Sequence, residues 1–270
     1  MSYIEPSEFV TKMVDSGEQK IYMSTKDTVI RGFMAGAILA LAAIFAITVA
    51  TKTGSPILGA CLFPVGFIML YSMKFDLLTG VFTLVPLALL DKRPGVTLSG
   101  VLRNWGLVFI GNFAGALTVA FFMSFILTYG YATDGGAIAA KVSSIGESRT
   151  LGYQSHGIGG WFTIFIRGML CNWMVSMGVV GAMISTSAGA KMAAMWMPIT
   201  LFFFMGFEHS IVNMFLFPFS MIMGGDFTFF DYLIWNEIPT VLGNLAGGLC
   251  LVGLPLYYTH VRTSPERKLS

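Results

Sequence analysis

The 270 residues are 55% hydrophobic and only 11% charged, with a formal net charge of +2. That balance excludes an ordinary soluble domain. So small a charge, carried by basic residues scattered over several segments, argues against a nucleic-acid partner.

In chain order, residues 1–31 are polar and charged and lack the short apolar core and cleavage site of a signal peptide. They read as a cytoplasmic N-terminal segment carrying a surface helix. From residue 32 to 260, uncharged runs recur that reach the roughly 20 apolar residues a bilayer crossing needs. They predict spans at Phe33–Ala50, at Ser55–Met73 continuing to Leu90, and at Asn104–Tyr131. Further spans follow at Gly159–Ser185, Met192–Gly224 and Ile238–Thr259. The fold class is therefore an all-α membrane protein with six transmembrane helices, of which the second and fifth carry polar residues in mid-span. Residues 261–270 form a cytoplasmic tail. With the N-terminus inside, Lys12, Lys20, Lys26, Arg31, Lys92, Arg93, Arg103, Lys191, Arg262, Arg267 and Lys268 lie on the cytoplasmic side. Only Lys52, Lys141 and Arg149 lie opposite, which satisfies the positive-inside rule with both termini cytoplasmic. Cys61, Cys171 and Cys250 fall within spans and read as small hydrophobes.

A shift of 132 positions brings two halves, about 32–133 and 159–260, into register. "MKFDLLTG" from Met73 lies over "MGFEHSIV" from Met205, which aligns Asp76 with Glu208. Pro86 falls on Pro218, Asn104 on Asn236, and "GNFAGAL" from Gly111 on "GNLAGGL" from Gly243. Three spans per half force the second copy upside down, a 3+3 inverted repeat. Such repeats with interrupted helices mark transporters and channels whose path runs where the halves meet. The interruptions, Lys74–Gly80 and Phe207–Ser210, are paired by the repeat; non-helical backbone at that depth must be buried in protein or line a cavity. The Gly111/Gly115 and Gly243/Gly247 pairs predict close helix packing.

"RGMLCNW" from Arg167, "GFEHSIVNMF" from Gly206 and "DLLTG" from Asp76 resemble the formate/nitrite transporter family, over roughly Thr28 to Thr259. The resemblance implies an aquaporin-like protomer, a homopentamer with one path per protomer, no cofactor, and small monovalent anions as cargo. Formate and nitrite lead, with bicarbonate and hydrosulfide behind. It makes His209 the central pore histidine, with Thr79 and Asn172 beside it. Leu77 and Leu78 are then one apolar constriction, and Phe63, Phe67 and Phe202 the other. The family often has phenylalanine where Leu78 stands, which widens the first neck slightly. Glu208, Asn213 and Asp76 support the broken helices, Asp76 with Lys74 as its partner. Sixteen residues before the motif asparagine the family usually has lysine, and here stands His156. A vestibule histidine predicts anion capture that weakens as pH rises through the imidazole range near 6.5, unless Lys141 or Arg149 supplies the charge. Uptake that His156→Lys fails to improve at alkaline pH would count against this role.

Chemistry explains a central histidine. Moving a carboxylate-sized anion into low dielectric costs on the order of 20 kcal/mol in the ideal limit and several after relaxation. Neutralising an acid of pKa near 4 at neutral pH costs roughly 4 kcal/mol. Imidazole exchanges protons near neutrality, so protons and the lipid bilayer join the anion as partners, and His209 protonates or hydrogen-bonds it. Intramembrane ionisable residues are functional by default, although a satisfied core histidine is the blander reading. Arg167 reads as structural. Other functions fit less well. A neutral-solute aquaporin lacks its paired Asn-Pro-Ala signatures here. A Ser210–His209 hydrolase has adjacent residues that do not face one another on a helix, so no enzyme is expected. The histidines are too scattered for a metal site.

Overall fold

The computed structural model describes residues 2–263, so most of the expected 261–270 tail lies outside the described residues. The described chain is helical throughout, without a β-strand; an isolated bridge joins Tyr3 to Ser185. Among the described residues, four helices are long and apolar enough to cross a membrane: α2 (Thr25–Thr53), α6 (Leu98–Leu127), α9 (Gly157–Gly181) and α12 (Phe229–Arg262). The predicted second and fifth spans are each broken into two helical parts. The second comprises α3 (Pro56–Leu62) and α4 (Pro64–Ser72), then α5 (Leu78–Leu90); the fifth comprises α10 (Ala188–Phe204), then α11 (Ser210–Ile222). The breaks therefore fall where the polar residues interrupt the apolar runs. Two differences from the sequence reading concern the ends. The first long helix starts at Thr25, not Phe33, because Ser24 caps it by accepting a hydrogen bond from the Asp27 amide at 3.0 Å. The connection between the halves contains two unanticipated helices, α7 (Gly136–Ser148) and α8 (Leu151–Gln154).

The N-terminal α1 (Pro6–Tyr22) is the expected surface helix, and it is docked. Phe9, Val10, Met13, Val14, Gly17 and Ile21 are buried, and a Cβ at Gly17 would collide with the Leu84 carbonyl of α5. Arg93, after α5, holds α1 through Asp15 at 2.8 Å and Glu18 at 3.5 Å. In each half, glycines set the long-helix contacts. Side chains at Gly111 and Gly115 would strike the α2 backbone at Val29 and Phe33. At Gly243 and Gly247 they would strike the α9 backbone at Phe165 and Met169. Direct backbone approach of this kind substitutes for a hydrophobic driving force that lipid does not provide.

Candidate functional site

The two breaks are built alike. α4 ends with Lys74 at φ 57 and the Phe75 amide bonded back to the Leu70 carbonyl at 2.9 Å. α10 ends with Gly206 at φ 63 and Phe207 bonded to Phe202 at 3.0 Å. Each pair is 132 positions apart, and each turn is the left-handed helix ending that satisfies orphan carbonyls. In the second turn the Arg167 guanidinium adds a bond to the Gly206 carbonyl at 2.6 Å, the structural use expected of it.

The chain that leaves each turn is held by an asparagine on the following long helix. Asn112 Oδ1 accepts from the Leu78 amide at 2.9 Å, while its Nδ2 donates to the carbonyls of Asp76 at 2.9 Å and Gly32 at 2.8 Å. Asn244 repeats this with the Ser210 amide at 3.0 Å and the carbonyls of Glu208 at 2.9 Å and Gly168 at 2.8 Å. Both asparagines are fully buried. Sequence reasoning quoted the motifs that contain them but used only their glycines; the shared register of Asn112 and Asn244 was the available signal.

A third duplicated element is a buried carboxylate with a basic partner on a peripheral segment. Asp76 pairs with Lys20 of α1, and the Lys20 carbonyl accepts from Asn104 Nδ2 at 3.1 Å. Glu208 pairs with Arg149, which follows α7, at 3.5 Å, and the Arg149 carbonyl accepts from Asn236 Nδ2 at 3.0 Å. This corrects the expected Lys74–Asp76 pair: Lys74 is exposed, and its contribution to the break is its left-handed backbone. Glu208 also accepts from Asn213 at 3.0 Å, so the two residues assigned to bracing the break do bond to each other. Tyr153 donates to Glu208 at 3.3 Å. Burial, with Glu208 beside it, pushes the Tyr153 phenol up to about 12, so it remains a donor across the physiological range.

His209 and Thr79, one from each break, meet: imidazole Nε2 lies 3.3 Å from Thr79 Oγ1. His209 is also the N-cap of α11, its Nδ1 accepting from the Val212 amide at 3.3 Å. A backbone N–H can only donate, which leaves the neutral ring with its proton on Nε2, toward Thr79. Phe202 stacks on the imidazole, with ring centres 5.5 Å apart, and meets Phe63 edge-on at 5.7 Å. Phe63, Phe67, Phe202, Leu77 and Leu78 are all buried. Asn172 is drawn to the same place, but its Nδ2 donates to the carbonyls of Thr79 at 3.1 Å and Asn244 at 2.6 Å, and its Oδ1 accepts from Ser176 at 3.3 Å. It braces Thr79 and has no hydrogen left for a solute.

A cavity of about 480 Å³ opens between α2, α3, α7 and α10, with His209 and Phe202 in its lining and Lys141 and Arg149 on its wall. His156, the expected vestibule residue, is exposed at the start of α9 and outside this lining. The basic charge facing the histidine is carried by α7 and the residue after it. Among the described residues no cluster fit to hold a metal ion occurs.

A family model described as Formate/nitrite transporter matches residues 7–258. The chain is 33% identical over 248 residues to a probable formate transporter of Methanothermobacter thermautotrophicus, covering 87% of this chain and 89% of that one. Among solved structures it is similar to an FNT family ion channel, with a TM-score of 0.81 at 22% identity over 93% of this chain and 98% of that chain. It is also similar to a pentameric formate channel with formate bound, with a TM-score of 0.71 at 23% identity over 86% and 96%. At that identity the two structures share its fold.

Proposed function

The chain belongs to the formate/nitrite transporter family, and on that premise we propose that it passes small monovalent anions, formate or nitrite first, through a path inside each protomer. The observation that carries this reading is the meeting of His209 Nε2 with Thr79 Oγ1, between buried aromatic and leucine necks, beside a cavity walled by Lys141 and Arg149. In this reading each broken pair of helices counts as one crossing, which makes six. The duplicated asparagine and carboxylate bonds support an inverted repeat. The distribution of lysine and arginine supports an inner-membrane protein with both termini in the cytoplasm, so the cavity faces outward. The pentameric formate channel of the same fold motivates a homopentamer by analogy.

The steps follow from the charges. Arg149 and Lys141 concentrate anions at the mouth. The phenylalanine neck strips water, and the His209 Nε2–H and the Thr79 hydroxyl replace part of what is lost. Because Nδ1 is engaged by Val212, the ring's role is hydrogen bonding, and handing a proton over requires that cap to break. A proton from solution neutralises the acid at the roughly 4 kcal/mol already given, less than the desolvation it avoids.

Liposomes holding the purified full chain test the reading with formate, nitrite, bicarbonate and hydrosulfide at about pH 5 and about pH 8. Formate or nitrite should pass fastest and faster in acid. Bicarbonate or hydrosulfide in the lead would reassign the cargo. Flux of a neutral solute alone, indifferent to pH, would refute the anion path.

A further inference from the structure

Glu237 is a buried carboxylate that nothing above employs. It lies in the π-helical turn Leu233–Glu237 of α12 and is 3% exposed. One carboxyl oxygen bonds the hydroxyl of Ser210, the residue next to His209; the other accepts from Tyr232 Oη at 2.8 Å.

Three observations bear on its role. First, the frame does not need it. In the 132-residue register Glu237 corresponds to Trp105 and Ser210 to Leu78. The first half therefore builds the same break with an indole and an apolar side chain where the second has an acid and a hydroxyl.

Second, the neighbours divide the two buried acids of this half by kind. Glu208 faces a guanidinium and two amide N–H donors, from Asn213 and Asn236, along with the Tyr153 hydroxyl. The first three can only donate and therefore suit an anion. Glu237 faces only hydroxyls, which donate or accept, so the same contacts serve the acid and the carboxylate alike.

Third, no described cation pairs with it. The elements packed against its turn are α8, α9, α11 and the adjoining stretches of α12, Phe229–Tyr232 and Ile238–Gly248. Their titratable groups, with those at the start of α11, are Tyr153, Arg167, Cys171, Glu208, His209, Asp231 and Tyr232. Arg167 serves the carbonyls of Met205 and Gly206, and Arg149 serves Glu208. An ionised Glu237 would sit unpaired in an apolar layer, and the α11 N-terminus would offset only part of that cost.

We propose that Glu237 is a second proton-binding site, neutral in the conducting protein, whose ionisation places a negative charge one residue behind His209 and repels the anion. Occupancy of the path is coupled to that proton. Flux is allowed while Glu237 holds its proton and is lost as rising pH removes it. The flux arm of this idea rests on the anion reading above, whereas the proton site itself does not.

Two measurements on the reconstituted full chain test it, from about pH 5 to about pH 8. Difference infrared spectroscopy should show a protonated-carboxyl C=O band in acid that turns into a carboxylate band with rising pH. The band should be absent in Glu237→Gln and moved in Tyr232→Phe, which loses one hydrogen bond to that group. The second variant assigns the band even if the first does not assemble. The ratio of wild-type to Glu237→Gln formate flux cancels any pH dependence both share, and should fall as the band converts. A missing Glu237 band, or one unchanged across the range, overturns the proton site. A flat flux ratio beside a titrating band overturns its effect on the anion. If neither protein passes formate, the anion reading fails, and the infrared result still decides for or against the proton site.

Discussion

Replacing His209 separates its two bonds. Nδ1 caps α11 by accepting from Val212, and Nε2 addresses Thr79. Asparagine is among the best N-caps, so His209→Asn keeps a cap while losing the ring nitrogen at the path; His209→Ala loses both. Loss of the cap costs about 1 kcal/mol, and loss of the stacked contact with Phe202 costs about 0.5–1.5 kcal/mol in either variant. His209→Ala should therefore unfold more readily than His209→Asn by about 1 kcal/mol, read from thermal unfolding in detergent. Transport should not follow that order. A hydrogen bond to a charged solute is worth about 1.5–3 kcal/mol, and about 1.4 kcal/mol is tenfold in rate. Both variants should then lose roughly tenfold to a hundredfold of formate flux at low concentration in stopped-flow vesicle assays. If His209→Asn transports within about threefold of wild type, the Nε2–H is not the donor that matters. If the two variants unfold alike, the ring is not the cap.

Asn112→Ala and Asn244→Ala each strand two buried backbone groups, the amide and carbonyl of the break, at about 1–3 kcal/mol apiece, and remove a second bond from a helical carbonyl. Both should therefore lose at least about 2 kcal/mol in detergent unfolding, and a severe loss in one with a mild loss in the other would contradict their equivalence. Arg149→Gln should raise the formate concentration needed for half-maximal uptake and weaken its dependence on ionic strength. His156→Lys, outside the cavity, should change neither, and initial rates at low and high salt decide the matter. Gly206→Ala forces a side chain into φ 63 and within 3.1 Å of the Arg167 guanidinium. It should cost about 1–2 kcal/mol, whereas Lys74→Gly relieves the same strain at φ 57; opposite shifts in midpoint temperature are expected.

Much of this frame was legible in the sequence because bilayers tolerate few solutions. Long apolar runs give long helices, and polar residues inside a run mark where the helix breaks. The repeat located Asp76 and Glu208 together, and it located Asn104 with Asn236. What it did not locate were the partners of the two acids, since Lys20 and Arg149 lie outside the aligned halves and at unequal distances from them. Proximity along the chain suggested Lys74 for Asp76, but a left-handed backbone turns that lysine away. The segment between the halves carries no apolar run, so α7 was unreadable; the sequence named Lys141 and Arg149 as alternatives to His156 for the vestibule charge, but not that both line the cavity while His156 does not. Asn172 was legible as a neighbour of Thr79, but not that its amide hydrogens are already committed, because that is a property of packing.

The duplicated frame also explains how one site can be polar on one side and greasy on the other. In the 132-residue register His209 corresponds to Leu77. Both stand at the N-cap of the helix after a break, with similar extended backbones, at φ −92 and ψ 140 for Leu77 and φ −116 and ψ 114 for His209. The Leu77 side chain makes no cap bond, whereas His209 makes one and still points a second nitrogen across the gap. Its partner there, Thr79, lies two residues beyond Leu77 and corresponds to Ile211. A strictly symmetric frame would carry two imidazoles or two leucines at these N-caps. In the anion reading, the first would put a ring donor from each half beside the path; the second would put none. Divergence at these positions leaves a single donor pair bounded by apolar necks, which in the proposed function would bind a small anion weakly enough to release it. Restoring the symmetry with Leu77→His should therefore slow release and lower the maximal flux, even if it tightens binding.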